Sequence, residues 1–114
     1  MAFIYKILTD PQWQQAQKDG VFLGAPIDLA DGFIHFSTAA QVAETANKHF
    51  KGQENLWLVQ VDEEKLGQAL RYEVSRGGAL FPHLYATLDC QLIKNVWSFN
   101  PDDNGIFSMD EDLL

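Results

Sequence analysis

The sequence predicts an α+β domain, a small bent or split sheet, mostly antiparallel or mixed, with about two helices packed outside it. Two observations carry that expectation. Both helical patterns fall in the first half of the chain and most β-prone runs in the second, so strands and helices do not alternate as a doubly wound parallel sheet requires. The 114 residues, 46% of them hydrophobic, also suit one core and leave no room for a second domain. The expected boundaries are a single globular domain over residues 1–100 and an acidic C-terminal tail over 101–114.

The elements follow in order. Phe3 to Leu8 is a compact β-prone run with Tyr5 and Ile7 on one face and Lys6 on the other. Thr9-Asp10-Pro11 starts a helix, Trp13, Ala16 and Gln17 share one of its faces, and Gly20 ends it. Val21 to Asp31, with Gly24, Pro26, Asp28 and Asp31 and no long period, reads as a loop. Gly32 to Ser37 is a strand on which Phe33, His35 and Ser37 point one way and Ile34 and Phe36 the other. Thr38 and Gln41 have capping-box spacing, and Val42, Thr45, Ala46 and His49 continue a second helix to Lys51-Gly52.

Leu56 to Val61 is strongly β-prone, and Asp62 caps a short helical turn over Glu63 to Lys65. Leu70 to Val74 alternates, with Arg71 and Glu73 facing opposite to Tyr72, and Gly77-Gly78 turns the chain. Leu80 to Tyr85 reads as an extended or turning segment, because proline is poorly placed in a central strand. Gln91 to Phe99 is a last strand, and Ile106-Phe107 is a docking point within the tail.

Charge excludes several function classes. The net charge is −8, and the final fourteen residues hold Asp102, Asp103, Asp110, Glu111 and Asp112 without a single base. The eight Lys and Arg residues are scattered, whereas a non-specific nucleic-acid or anionic-membrane binder needs them clustered. The lone cysteine, Cys90, closes no intrachain disulfide, and its neighbour Asp89 disfavours the thiolate. No apolar run has the length of a signal core or a membrane span, so the expected location is the cytoplasm. The oligomeric state is left open.

No phosphate loop, dinucleotide fingerprint, zinc motif or nucleophile elbow is present, and weaker constellations carry the chemistry. Asp28, Asp31, His35 and Ser37 join an acidic loop to a strand bearing an imidazole and a hydroxyl. They suit hydrogen bonding to a sugar hydroxyl or amide, or equally a half-buried histidine satisfied by its neighbours. Arg71, Glu73 and Arg76 are either a surface ion pair or a carboxylate that orients a ribose beside phosphate-binding bases. Phe81 to Tyr85 holds His83 stiffly behind Pro82, as a binding wall with Tyr85 or as a core-lining turn. A metal face of His35, Glu73 and His83 has no local ligand spacing behind it, and no metal is expected.

The runs Ile4-Tyr5-Lys6-Ile7, Gly32-Phe-Ile-His-Phe-Ser37 and Phe81-Pro-His-Leu-Tyr85, with Trp13, Gly20, Gln41, Leu58, Val61-Asp62 and Glu73, resemble the bacterial family catalogued as domain of unknown function 952, over about residues 3 to 96. That family looks like a compact relative of the ADP-ribosyltransferase fold. The resemblance extends to the RNA 2′-phosphotransferases, in which a His-x-Ser strand leads to a helix and then to a strand ending in Val-Asp. It implies a cleft between two small sheets for a nucleotide or NAD-like ligand, with NAD as the cofactor to test and ADP-ribosyl or related glycosyl transfer as the reaction. Glu73 and His35 would be catalytic; Ser37, Arg71, Arg76, His83, Tyr85 and Asp28 would bind the ligand. Lys6 stands nearest the first-strand position where such transferases hold the nicotinamide ribose. The other function consistent with these residues is a non-catalytic ligand- or protein-binding module.

Overall fold

The structure, a computed structural model, describes residues 2–109, without the side chain of Arg76. It is α+β, with three small antiparallel sheets among the described residues. The largest has the strand order β4-β1-β5-β9, where β1 is Phe3–Leu8, β4 Ser37–Thr38, β5 Leu56–Asp62 and β9 Ile93–Phe99. A second sheet runs β3-β7-β6, from Ile34–His35, Leu80–Leu84 and Leu70–Val74, and a two-stranded ribbon pairs β2, Val21–Phe22, with β8, Leu88–Asp89.

The strand β1 lies between two cores, which is why it is almost wholly buried. Ile4 and Leu8 join Val59, Val61, Ile34, Phe36 and Leu84 on one side; Tyr5 and Ile7 join Leu56, Leu58, Val42 and Ala46 on the other. The period of two that sets Lys6 opposite Tyr5 therefore sends a lysine into the first core region, where it is 8% exposed.

Among the described residues three α-helices pack around the sheets, one more than the sequence suggested. α1, Asp10–Asp19, starts as expected: Gln12 N–H donates to Thr9 Oγ1, the Gln12 side chain accepts from Thr9 N–H, and Gly20 closes the helix at φ 76°. The predicted loop over 21–31 is corrected to the short strand β2 and the helix α2, Pro26–Asp31. Pro26 occupies the first turn of α2, and the Asp28 carboxylate accepts the Ala25 N–H at 2.8 Å. Hydrophobic periodicity misses α2 because its buried residue is Asp28, while Ile27 and Leu29 are exposed.

The strand predicted over 32–37 is split at Phe36. The chain leaves the three-stranded sheet after His35 and enters the four-stranded one at Ser37, with Phe36 buried at the crossing. α3, Val42–His49, begins later than the spacing implied: residues 39–41 form a turn, and Gln41 Oε1 accepts the Thr38 N–H at 3.0 Å.

The other correction concerns Pro82, which sits in the central strand β7. Phe36 N–H donates to Pro82 O at 2.9 Å, so Pro82's carbonyl faces the β3 side. In an antiparallel strand a residue's N and O face the same neighbour, and β3 has already ended there. The missing donor therefore costs the β6–β7 ladder nothing.

Phe107, 1% exposed, stacks on Phe99, and Asn47 of α3 accepts its N–H and donates to its carbonyl. Ile106 is exposed. Asp110, Glu111 and Asp112 of the acidic tail lie outside the described residues. Among the described residues no helix is long and apolar enough to cross a membrane.

Candidate functional site

Antiparallel pairing in the three-stranded sheet puts His35 opposite His83, Arg71 opposite His83 and Glu73 opposite Phe81. Alternation then places His35, His83, Phe81, Arg71 and Glu73 on one sheet face, while Ile34 and Leu84 face the core. A cleft of about 570 Å³ opens beside that face, a volume ordinary for a small-molecule site. β1 and β4 of the four-stranded sheet supply Lys6 and Ser37 to its lining, β3 and β7 supply His35 and His83, and α3 supplies Thr45 and His49. Its aromatic surface comes from Tyr5, Phe36, Phe50 and Phe81.

Of the residues singled out in the sequence, His35, Ser37 and His83 line this cleft together. Arg71, Glu73, Tyr85 and Asp28 are not among the lining side chains. Arg71 lies over the Tyr85 ring at 5.1 Å, and Ser37 Oγ is 3.0 Å from Thr45 Oγ1. Asp31 and Phe81 of those constellations, and Lys6 of the first strand, also line the cleft; Thr45 and His49 line it without having been assigned to it from the sequence. The signal that pointed toward Lys6 is a single cation in an otherwise apolar strand, which must find a buried partner.

That partner is Asp28, 2% exposed. Its two oxygens take Lys6 Nζ at 3.1 and 3.0 Å, the backbone N–H groups of Ala25 and His35 at 2.8 and 3.1 Å, and His35 Nδ1 at 2.6 Å. Burial alone would raise the Asp28 carboxyl, but the His35 hydrogen bond, the Lys6 charge and the two backbone amides outweigh it and hold the group at about 2. Burial draws the Lys6 ammonium below its usual range, and Asp28 opposes that shift. The second ring nitrogen of His35, Nε2, is 2.9 Å from Asp31 Oδ2. Every polar atom named in this cluster has a partner.

His83 is held differently. Its Nδ1 is 2.9 Å from Glu73 Oε1, and the Tyr85 hydroxyl donates to the same oxygen at 2.7 Å. These hydrogen bonds, that of Tyr85 first and that of His83 second, keep the Glu73 carboxyl below its usual range, and the same bond raises the Tyr85 phenol. Phe33 stacks on the His83 ring at 4.1 Å, and His35 meets it edge-on at 5.4 Å. His83 is 4% exposed, and among the described residues its Nε2 is the buried side-chain polar atom without a hydrogen-bond partner.

No group of three His, Cys, Asp or Glu side chains among the described residues is arranged to hold a metal ion. Burial, then Asp89, raises the Cys90 thiol, which disfavours the thiolate.

The family model described as "Protein of unknown function (DUF952)" matches residues 7–96, and the chain belongs to that family. It is similar to protein CC0527 of Caulobacter crescentus. The crystal structure of that protein is 45% identical in sequence, covers 97% of each chain and superposes with a TM-score of 0.92. Its solution structure is 46% identical, covers 95% of this chain and 93% of the other, and superposes with a TM-score of 0.86. No curated protein matches the chain.

Proposed function

We propose that this member of the family binds a small nucleotide or related ribosylated ligand in the cleft between its two larger sheets. The observation that carries the reading is the buried, unpartnered Nε2 of His83, a residue of the cleft lining. Burying a polar atom without a partner costs about 1–3 kcal/mol, and a bound ligand is one way to remove that cost. Aromatic rings at the lining suit a base, while the Ser37 and Thr45 hydroxyls and the His83 imidazole suit a sugar. Two small sheets that both contribute to the cleft also fit the ADP-ribosyltransferase-like arrangement that the sequence motifs resemble.

Of the two forms of this reading, transferase and non-catalytic binding module, one observation favours the second. Glycosyl transfer from NAD needs a carboxylate beside the developing sugar cation. Glu73 is not a lining residue, and its Oε1 is occupied by His83 and Tyr85, so it serves to position His83; Asp31, the carboxylate that does line the cleft, has its Oδ2 on His35 Nε2.

A thermal-shift panel of NAD, ADP-ribose, AMP and adenosine tests the binding, since a ligand that binds only the folded state at one hundred times Kd adds about 2.7 kcal/mol of stability. At least one of the four should raise the melting temperature of the wild type, and no NAD should be consumed. Silence from all four would remove the nucleotide reading. NAD turnover that Glu73→Gln abolishes would restore the transferase.

A further inference from the structure

The hydrogen-bonding polarity of His83 follows from its partner. An ionised carboxylate only accepts hydrogen bonds, so the nitrogen 2.9 Å from Glu73 Oε1 must carry the proton. In the neutral ring that leaves Nε2 with a lone pair and no hydrogen. Phe33 stacked on one face and the edge-on His35 fix the ring plane, and the Tyr85 hydroxyl fixes the Glu73 oxygen. The same surroundings disfavour an anion. The Lys6 ammonium is already tied to Asp28, both ring nitrogens of His35 face carboxylates, the Arg71 guanidinium lies over the Tyr85 ring outside the cleft lining, and Glu73 and Asp31 add negative charge nearby.

We propose that His83 presents Nε2 as a hydrogen-bond acceptor to an uncharged donor on the ligand, a sugar hydroxyl or an amide N–H, and that this subsite rejects phosphate. The inference rests on the cleft reading above and sharpens it: the ligand's ribose or amide end sits at His83, and any phosphate it carries lies elsewhere. Glu73 is then a positioning residue, whose task is to hold one tautomer of a ring it does not share with the ligand.

The test is long-range ¹H–¹⁵N NMR of protein with ¹⁵N-labelled histidine, recorded free, with adenosine and with inorganic phosphate. The free protein should show His83 protonated at Nδ1 and bare at Nε2. Glu73→Leu should lose that tautomer, and Glu73→Gln, which keeps an acceptor oxygen, should retain it. Adenosine should shift the Nε2 resonance while the Nδ1 proton stays, phosphate should leave both nitrogens unchanged, and His83→Phe should weaken adenosine binding by about tenfold or more.

A free His83 protonated at Nε2, or one that gains a second proton when phosphate binds, would overturn the inference while leaving a ligand cleft in place. Adenosine that shifts no cleft resonance at all would overturn the nucleoside reading and this inference with it.

Discussion

Two histidines face each other across β3 and β7, and they differ in how many of their nitrogens are used. His35 has Asp28 at Nδ1 and Asp31 at Nε2; His83 has Glu73 at Nδ1 and nothing at Nε2. Asp28 is 2% exposed and ties β1, α2 and β3 together through Lys6, Ala25 and His35, whereas Glu73 sits half-exposed on the sheet edge strand β6. The contrast separates a fully satisfied polar cluster from one that leaves a ring nitrogen unpaired. A fully satisfied buried network fixes the geometry around it, and a network with one orphan marks where a ligand gains most.

The largest effect that would test this contrast is on stability. Asp28→Asn leaves the buried Lys6 ammonium without its counter-charge and should lower the unfolding free energy by about 3–5 kcal/mol in a urea titration. His83→Phe removes an unsatisfied polar atom from a largely apolar setting, so its stability should stay within about 1 kcal/mol of wild type while adenosine binding weakens by about tenfold or more. Equal losses in the two variants would erase the distinction between the clusters.

Acid gives the next effect. Asp28 has a folded-state value of about 2 against an ordinary 3.8, a depression, so its contribution is fully present above pH 4 and is lost as the pH falls toward 2. Wild-type stability should drop by about 2 kcal/mol across that window from this group, and Asp28→Asn should lose that share of the dependence. An unchanged acid profile in the variant would place the dependence on other carboxylates.

The smallest effect is expected at the outer cluster. Tyr85→Phe removes one hydrogen bond to a half-exposed carboxylate, which should return the Glu73 carboxyl toward its ordinary range and leave stability close to that of the wild type. Carboxyl ¹³C shifts followed against pH would read it.

The two clusters also differ in how visible they were in the sequence. The spacing of His35 and Ser37, the stiff Phe81-Pro82-His83 run and the face shared by Arg71 and Glu73 were legible, because strand alternation is local information. The roles were not. Whether a histidine's second nitrogen is satisfied depends on Asp31 of α2, and α2 escapes a search for apolar periodicity because it buries a carboxylate. Pro82 misled for a related reason: its tolerance in a central strand depends on β3 ending at His35, a fact of the neighbour and not of the strand itself. By contrast α1 and β5 were read nearly to their ends, since Thr9, Pro11, Gly20 and the apolar run from Leu56 are self-contained signals.

The most direct test is a crystal of the protein soaked with adenosine. The account predicts a ribose hydroxyl within hydrogen-bond distance, about 2.7–3.2 Å, of His83 Nε2, with Glu73 still at Nδ1 and the contacts of Asp28 unchanged. Adenosine bound in the cleft with His83 Nε2 still unpartnered, or bound through His35 after displacement of Asp28, would contradict it.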